Sequence, residues 1–161
     1  MKHPILNFFR QMVLQQGRSP ISTKLMPLSK IKSAVVYVDS SAEGEDATSV
    51  CHAVQQYFDY QGIPVKIFCP KKQDFNLYGR LKNRVRGTRE TRHEDLFISL
   101  AASPDNFAAA YEAYYSTARF KVGRCKLPGD VFDLVVADPQ DTEATQAAAF
   151  AAIKDFLDKI K

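Results

Sequence analysis

Asp39, Ser40, Tyr78, Ser103 and Arg124 are the residues of this chain placed where a ligand would be met. Asp39 and Ser40 follow an apolar run at residues 34–38, and Ser103 and Arg124 follow two more, at 95–101 and 120–123. In an open α/β sheet, ligands bind beyond the carboxyl ends of the strands. Where such an end also starts a helix, as at Ser40, Ser103 and Asp138, unpaired backbone N–H groups can hold an anion. Each of these three residues also has a plain structural explanation as a helix cap. Asp39 precedes the expected cap, where a carboxylate commonly accepts turn N–H bonds. Tyr78 belongs to an aromatic, turn-rich stretch just after a strand end. It is therefore expected to pack across the same rim, within reach of Asp39 or Ser103.

Other chemistry is missing from the sequence. The seven glycines form no G-x-G-x-x-G, and there is no Walker-type G-x-x-x-x-G-K-[ST], no G-x-S-x-G and no H-E-x-x-H. His3, His52 and His93 fall one to a region. His52 directly follows Cys51, and adjacent helical residues point about 100° apart, so the two make no good metal pair. Hence no catalytic residue, no metal ligand and no cofactor is assigned. Cys51, Cys69 and Cys125 are an odd number without a C-x-x-C. Such usage suits a reducing compartment, and Cys51 reads as a small core residue. The N-terminus makes a poor signal peptide, and no apolar run approaches the roughly 20 residues of a membrane span. The expectation is a cytoplasmic protein.

The elements that must position these residues are legible. A chain of 161 residues, 45% hydrophobic and 25% charged, suits one globular domain. Ile5, Phe8, Phe9, Met12 and Val13 share one face of a helix over residues 1–16. A Pro- and Ser-containing linker is expected at 17–32, and the domain proper at 33–161. The N-terminal amphipathic helix thus reads as an appendage that folds back or supports self-association. Residues 34–38 are continuously apolar, as in a strand buried on both faces. Ser40 and Glu43 have capping-box spacing for a helix that Gly62 would close. Strands are expected at 64–69, 95–101, 120–123 and 130–138. A helix capped by Ser103 and a last helix from Asp138 alternate with them. The pattern implies a three-layer α/β fold with an open, mostly parallel, Rossmann-like sheet of about five strands.

Net charge is +4, unevenly spread. Residues 1–93 carry 15 Lys/Arg against 7 Asp/Glu, and residues 94–161 carry 7 against 11. Nine Lys/Arg fall between Lys66 and Arg92. Residues 70–93 hold few large apolar side chains, so a mobile basic excursion with at most a short helix is expected. Its charge alone would attract polyanions.

Two stretches resemble a family. Asp74-Phe75-Asn76-Leu77-Tyr78-Gly79-Arg80-Leu81-Lys82-Asn83 resembles a D-x-N-W-F-G-K-P-K-x motif, with Leu77 and Leu81 where the family tends to have Trp and Pro. Ala118-Arg119-Phe120-Lys121-Val122-Gly123-Arg124 resembles A-K-F-K-V-G-R. Both are features of a Bacteroidetes domain-of-unknown-function family, the one numbered 6913. That resemblance implies a basic N-terminal helix, a linker and a small α/β domain, and it implies no activity. Residues 95–124 are also similar to the N-terminal half of heptosyltransferase-like glycosyltransferases, but this chain is too short for the second half that holds the sugar nucleotide.

Three functions compete. The favoured one is a non-enzymatic α/β module that binds a small anion or a protein partner. The second is a nucleotide- or sugar-nucleotide-related enzyme using Asp39, Ser40, Ser103 and Arg124. The third is weak nucleic-acid binding through residues 66–92.

Overall fold

The computed structural model describes residues 5, 8, 10, 12–14, 24–41, 46–86, 93–136 and 145–160. Its strands are β1 (Ala34–Tyr37), β2 (Val65–Phe68), β3 (Leu96–Ser99), β4 (Phe120–Gly123) and β5 (Leu134–Val135). Its helices are α1 (Ala47–Gln61), α2 (Asn83–Arg86), α3 (Phe107–Tyr115) and α4 (Gln146–Lys159). All five strands run parallel in the order β2-β1-β3-β4-β5. β1 is thus interior, as its unbroken apolar character requires. Ala34 is in register with Val65 on one side and Leu96 on the other.

Alternation along the strands divides the core in two. Ala34, Val36 and Val38, with Leu96, Ile98 and Leu100, face Val54 and Phe58 of α1 and Phe150, Ile153 and Leu157 of α4. Val35, Tyr37 and Phe97 face the opposite layer, built on Ala108, Ala109, Ala110, Ala113 and Tyr114 of α3. This is the expected three-layer, Rossmann-like α/β architecture. Among the described residues no helix is long and apolar enough to cross a membrane.

Several local expectations are corrected. α1 is capped by Asp46, which accepts from Thr48 N at 3.0 Å and Ser49 N at 3.3 Å, and not by Ser40. The connection after β1 is longer than the Ser40 reading allowed, so a later acidic residue captures the orphan N–H groups. Similarly, α3 starts at Phe107 with Asn106 as its cap, accepting from Ala109 N at 3.2 Å. Ser103 Oγ instead accepts from Asp105 N at 3.1 Å, within the preceding turn. The expected start of the last helix at Asp138 lies outside the described residues; α4 is described from Gln146, with Thr145 accepting from Ala148 N at 3.0 Å. Gly62 closes α1 as expected, at φ 71°.

The stretch read as a linker supplies Leu28 and Ile31 to the first core. Near the N-terminus, two residues of the apolar face point outward, Ile5 being 75% and Phe8 73% exposed. Leu14 packs on the second core in their place.

The basic excursion is also more ordered, over residues 70–86, than its composition suggests. Leu81 is fully buried, and Phe75 and Val85 pack against the same second core. Phe75 and Leu81 form an antiparallel bridge. These three apolar side chains suffice because they join the cluster that the alanines of α3 already form.

Candidate functional site

Strand order reverses between β1 and β3: β2 is added on one side of β1, and β3, β4 and β5 on the other. The connection after β1 leads to a helix on one face, and that after β3 leads to a helix on the other. The loops therefore part at this point, which is where doubly wound sheets take their ligands.

On the β1 side, the Asp39 carboxylate accepts from Ser41 N at 2.9 Å and from the Ser41 hydroxyl at 2.6 Å. Its own backbone is held by Gln146: Asp39 N donates to Gln146 Oε1, and Gln146 Nε2 donates to Asp39 O, both at 2.8 Å. Ser40 Oγ donates to the carbonyl of Pro70. The rim thus links β1, β2 and α4. Gln146 is fully buried, yet no motif announces it; only the fold reveals its role.

Tyr37, the last residue of β1, reaches to the loop after β3, where its hydroxyl is bonded to the Asn106 side chain. Burial, and then the Asp39 and Glu112 charges, push its pKa far above the usual phenol value. Ser103 stays on the surface in its turn. Arg124 turns inward at the end of β3. It is buried, with Nη1 donating to Leu100 O at 3.0 Å. It secures the end of β3.

The loop carrying Tyr78 has its own logic. Asn76 Oδ1 accepts from Tyr78 N at 2.9 Å and Arg80 N at 3.1 Å, and Asn76 N donates to Arg80 O at 2.8 Å. One Asn side chain thereby closes the turn, and Gly79 takes its left-handed position at φ 82°. Arg80 then lies with its guanidinium carbon 4.9 Å from the Tyr111 ring centroid, and Nη1 donates to the Tyr111 hydroxyl at 3.1 Å. Arg10 lies 4.9 Å from the Phe107 ring centroid and donates from Nη2 to Tyr78 O at 3.3 Å. Tyr78, Gly79 and Arg80 thus sit on α3, against Phe107 and Tyr111. Asp39 and Ser40 group with Gln146 and Pro70 instead.

Arg10 was missed at the sequence level because the amphipathic pattern drew attention to its apolar neighbours. Cys51 and Cys69 are likewise brought together, thiol to thiol. Burial and this contact push the Cys51 pKa up to about 12. Among the described residues no three His, Cys, Asp or Glu side chains are grouped to hold a metal ion. No family model, curated protein or solved structure matches this chain.

Proposed function

We propose that this chain is a non-enzymatic α/β module that binds a small anion or an anionic partner on the rim at the carboxyl ends of its strands. One observation carries this reading: among the described residues of the rim, Asp39 and the serines are committed to backbone and turn bonds. Asp39 and Ser41 bond each other, Ser40 bonds Pro70 O, and Ser103 holds its own turn. What the surface offers beyond these is positive charge backed by aromatic rings, at Arg10 and Arg80. Binding needs a placed charge, whereas acid–base or nucleophilic catalysis needs a group free to exchange its proton.

A second reading, a nucleotide- or sugar-nucleotide-related enzyme, draws support from the β1/β3 reversal flanked by Asp39 and Ser103. A thermal-shift screen over inorganic anions, nucleotides, sugar nucleotides and oligonucleotides tests both. A ligand bound only by the native state raises the melting temperature. Stabilisation without turnover on prolonged incubation supports the module. Conversion of a nucleotide or sugar nucleotide that is lost in Asp39→Asn would establish the enzyme instead.

A further inference from the structure

We propose that Arg10 and Arg80 form the two-guanidinium seat of a phosphate monoester on the first two turns of α3. The inference rests on the binding reading above and names its ligand class. Phe107 and Tyr111 are one turn apart on α3, their ring centroids separated by 6.1 Å. Each carries one arginine, with the guanidinium carbon 4.9 Å from the centroid. Stacking on a ring fixes the plane of a guanidinium, which is what recognition of a phosphate by paired N–H groups requires.

The loop that carries Arg80 also touches Arg10, whose Nη2 donates to Tyr78 O. Gly79 lies next to Arg80, and a Cβ on Gly79 would come within 2.9 Å of Arg10 Nη2. Glycine is needed here for φ 82°, which side-chain-bearing residues rarely adopt. The protein answers neither positive charge: among the described residues no carboxylate is within ion-pair distance of Arg10 or Arg80, whereas Arg84 nearby is paired with Asp74 at 3.3 Å. Arg10 Nε and Arg80 Nε are buried and meet no acceptor. Two cations on rings one helical turn apart, neither met by a carboxylate among the described residues, match a dianion, and a phosphate monoester carries close to two charges at neutral pH with three acceptor oxygens. Exposed Tyr78 borders the seat and offers a surface for the rest of the ligand.

The test is calorimetric titration of the full chain at low salt with inorganic phosphate, a nucleoside monophosphate and a sugar phosphate. The same probes are titrated into Arg10→Gln, Arg80→Gln and Lys72→Gln variants. We expect at least one phosphate to bind the wild type, to bind at least tenfold more weakly to both arginine variants, and to be unaffected by Lys72→Gln. Which of the three probes binds distinguishes a free phosphate from a nucleotide or a sugar source.

Because Arg80 also bonds Tyr111, its replacement could disturb the fold. Arginine modification by phenylglyoxal in the wild type, mapped by mass spectrometry, needs no variant. The bound phosphate should protect Arg10 and Arg80 but not Arg84. Binding that survives both substitutions, or protection that spares neither arginine, would overturn the seat while leaving the module standing. Failure of all three phosphates to bind at millimolar concentration would also overturn the seat. Failure of every ligand in the wider thermal-shift screen would overturn the module itself.

Discussion

Gln146 holds both backbone groups of Asp39, donating to its carbonyl and accepting from its amide at 2.8 Å each, across 107 residues of sequence. A primary amide carries a donor and an acceptor side by side, so a single side chain can meet both groups at once. The clasp fastens the loop after β1 to the start of α4, and so fixes the β1 side of the crevice.

Replacing Gln146 by Leu should therefore destabilise the fold by about 2 kcal/mol, since two part-buried backbone groups lose their partner. Urea unfolding followed by circular dichroism would show a lower midpoint with an unchanged slope. Gln146→Glu keeps an acceptor for Asp39 N but loses the donor to Asp39 O. It also sets a carboxylate beside that of Asp39. Its penalty should grow as the pH rises through the carboxylate range. A Gln146→Leu protein as stable as the wild type would show that the clasp contributes nothing.

The strands were legible because parallel, doubly covered strands leave a continuous apolar signature, as at Val35, Val36 and Ile98. The caps were not. Ser40 and Ser103 look as good as Asp46 and Asn106 by residue type, and only the path of each loop decides which one meets the helix. At the N-terminus Arg10 and Leu14 dock, while Ile5 and Phe8 face outward. An arginine stem covering an aromatic ring is invisible to a scale that counts Arg as polar. Leu81 was undervalued for a related reason, because its burial depends on alanines in α3 more than twenty residues later in the chain.

Gly123 ends β4 against the Phe132 ring, and a Cβ there would meet ring carbons at 2.4, 2.5 and 2.7 Å. Gly123→Ala should destabilise by about 1–3 kcal/mol through overpacking. Shortening the obstacle should relieve the strain. Gly123→Ala should therefore cost clearly less in a Phe132→Leu background than in the wild type. A double-mutant cycle measures this coupling, and simple additivity would refute the steric account.

Alkaline pH should weaken the fold through Cys51 and Tyr37. Burial and the Cys69 thiol raise Cys51 to about 12, and burial raises Tyr37 well above its ordinary value. In each case the native state holds the proton more tightly than the unfolded chain. The contribution is thus complete below the unfolded pKa and is lost as pH rises towards the folded one. Stability should fall from about pH 8.5 for the thiol, and again from about pH 10 for the phenol. Only the thiolate is nucleophilic, so alkylation of Cys51 at pH 8 should run about a thousandfold slower in the native protein than in urea. Rapid alkylation of Cys51 in native buffer would contradict its placement.

The basic stretch gives the last prediction. Lys71, Lys72, Lys82 and Arg84 are exposed, but Arg84 is already paired with Asp74 and donates to the Gln73 carbonyl at 3.4 Å. The free positive charge is therefore smaller than the count of residues suggests, and Phe68, which could have stacked on a base, is buried. Oligonucleotides should bind weakly and be released by roughly 0.2 M salt, because each phosphate contact contributes a log–log slope of only about −0.7 on single strands and −0.9 on duplex DNA. Changing Lys71, Lys72 and Lys82 together to Glu should abolish that binding. Surface substitutions of this kind alter stability by about 0.5 kcal/mol or less each. Fluorescence anisotropy across a salt series decides the matter. Binding that persists above 0.2 M salt and discriminates between base sequences would make this face a nucleic-acid site, since charge attraction alone reads no sequence.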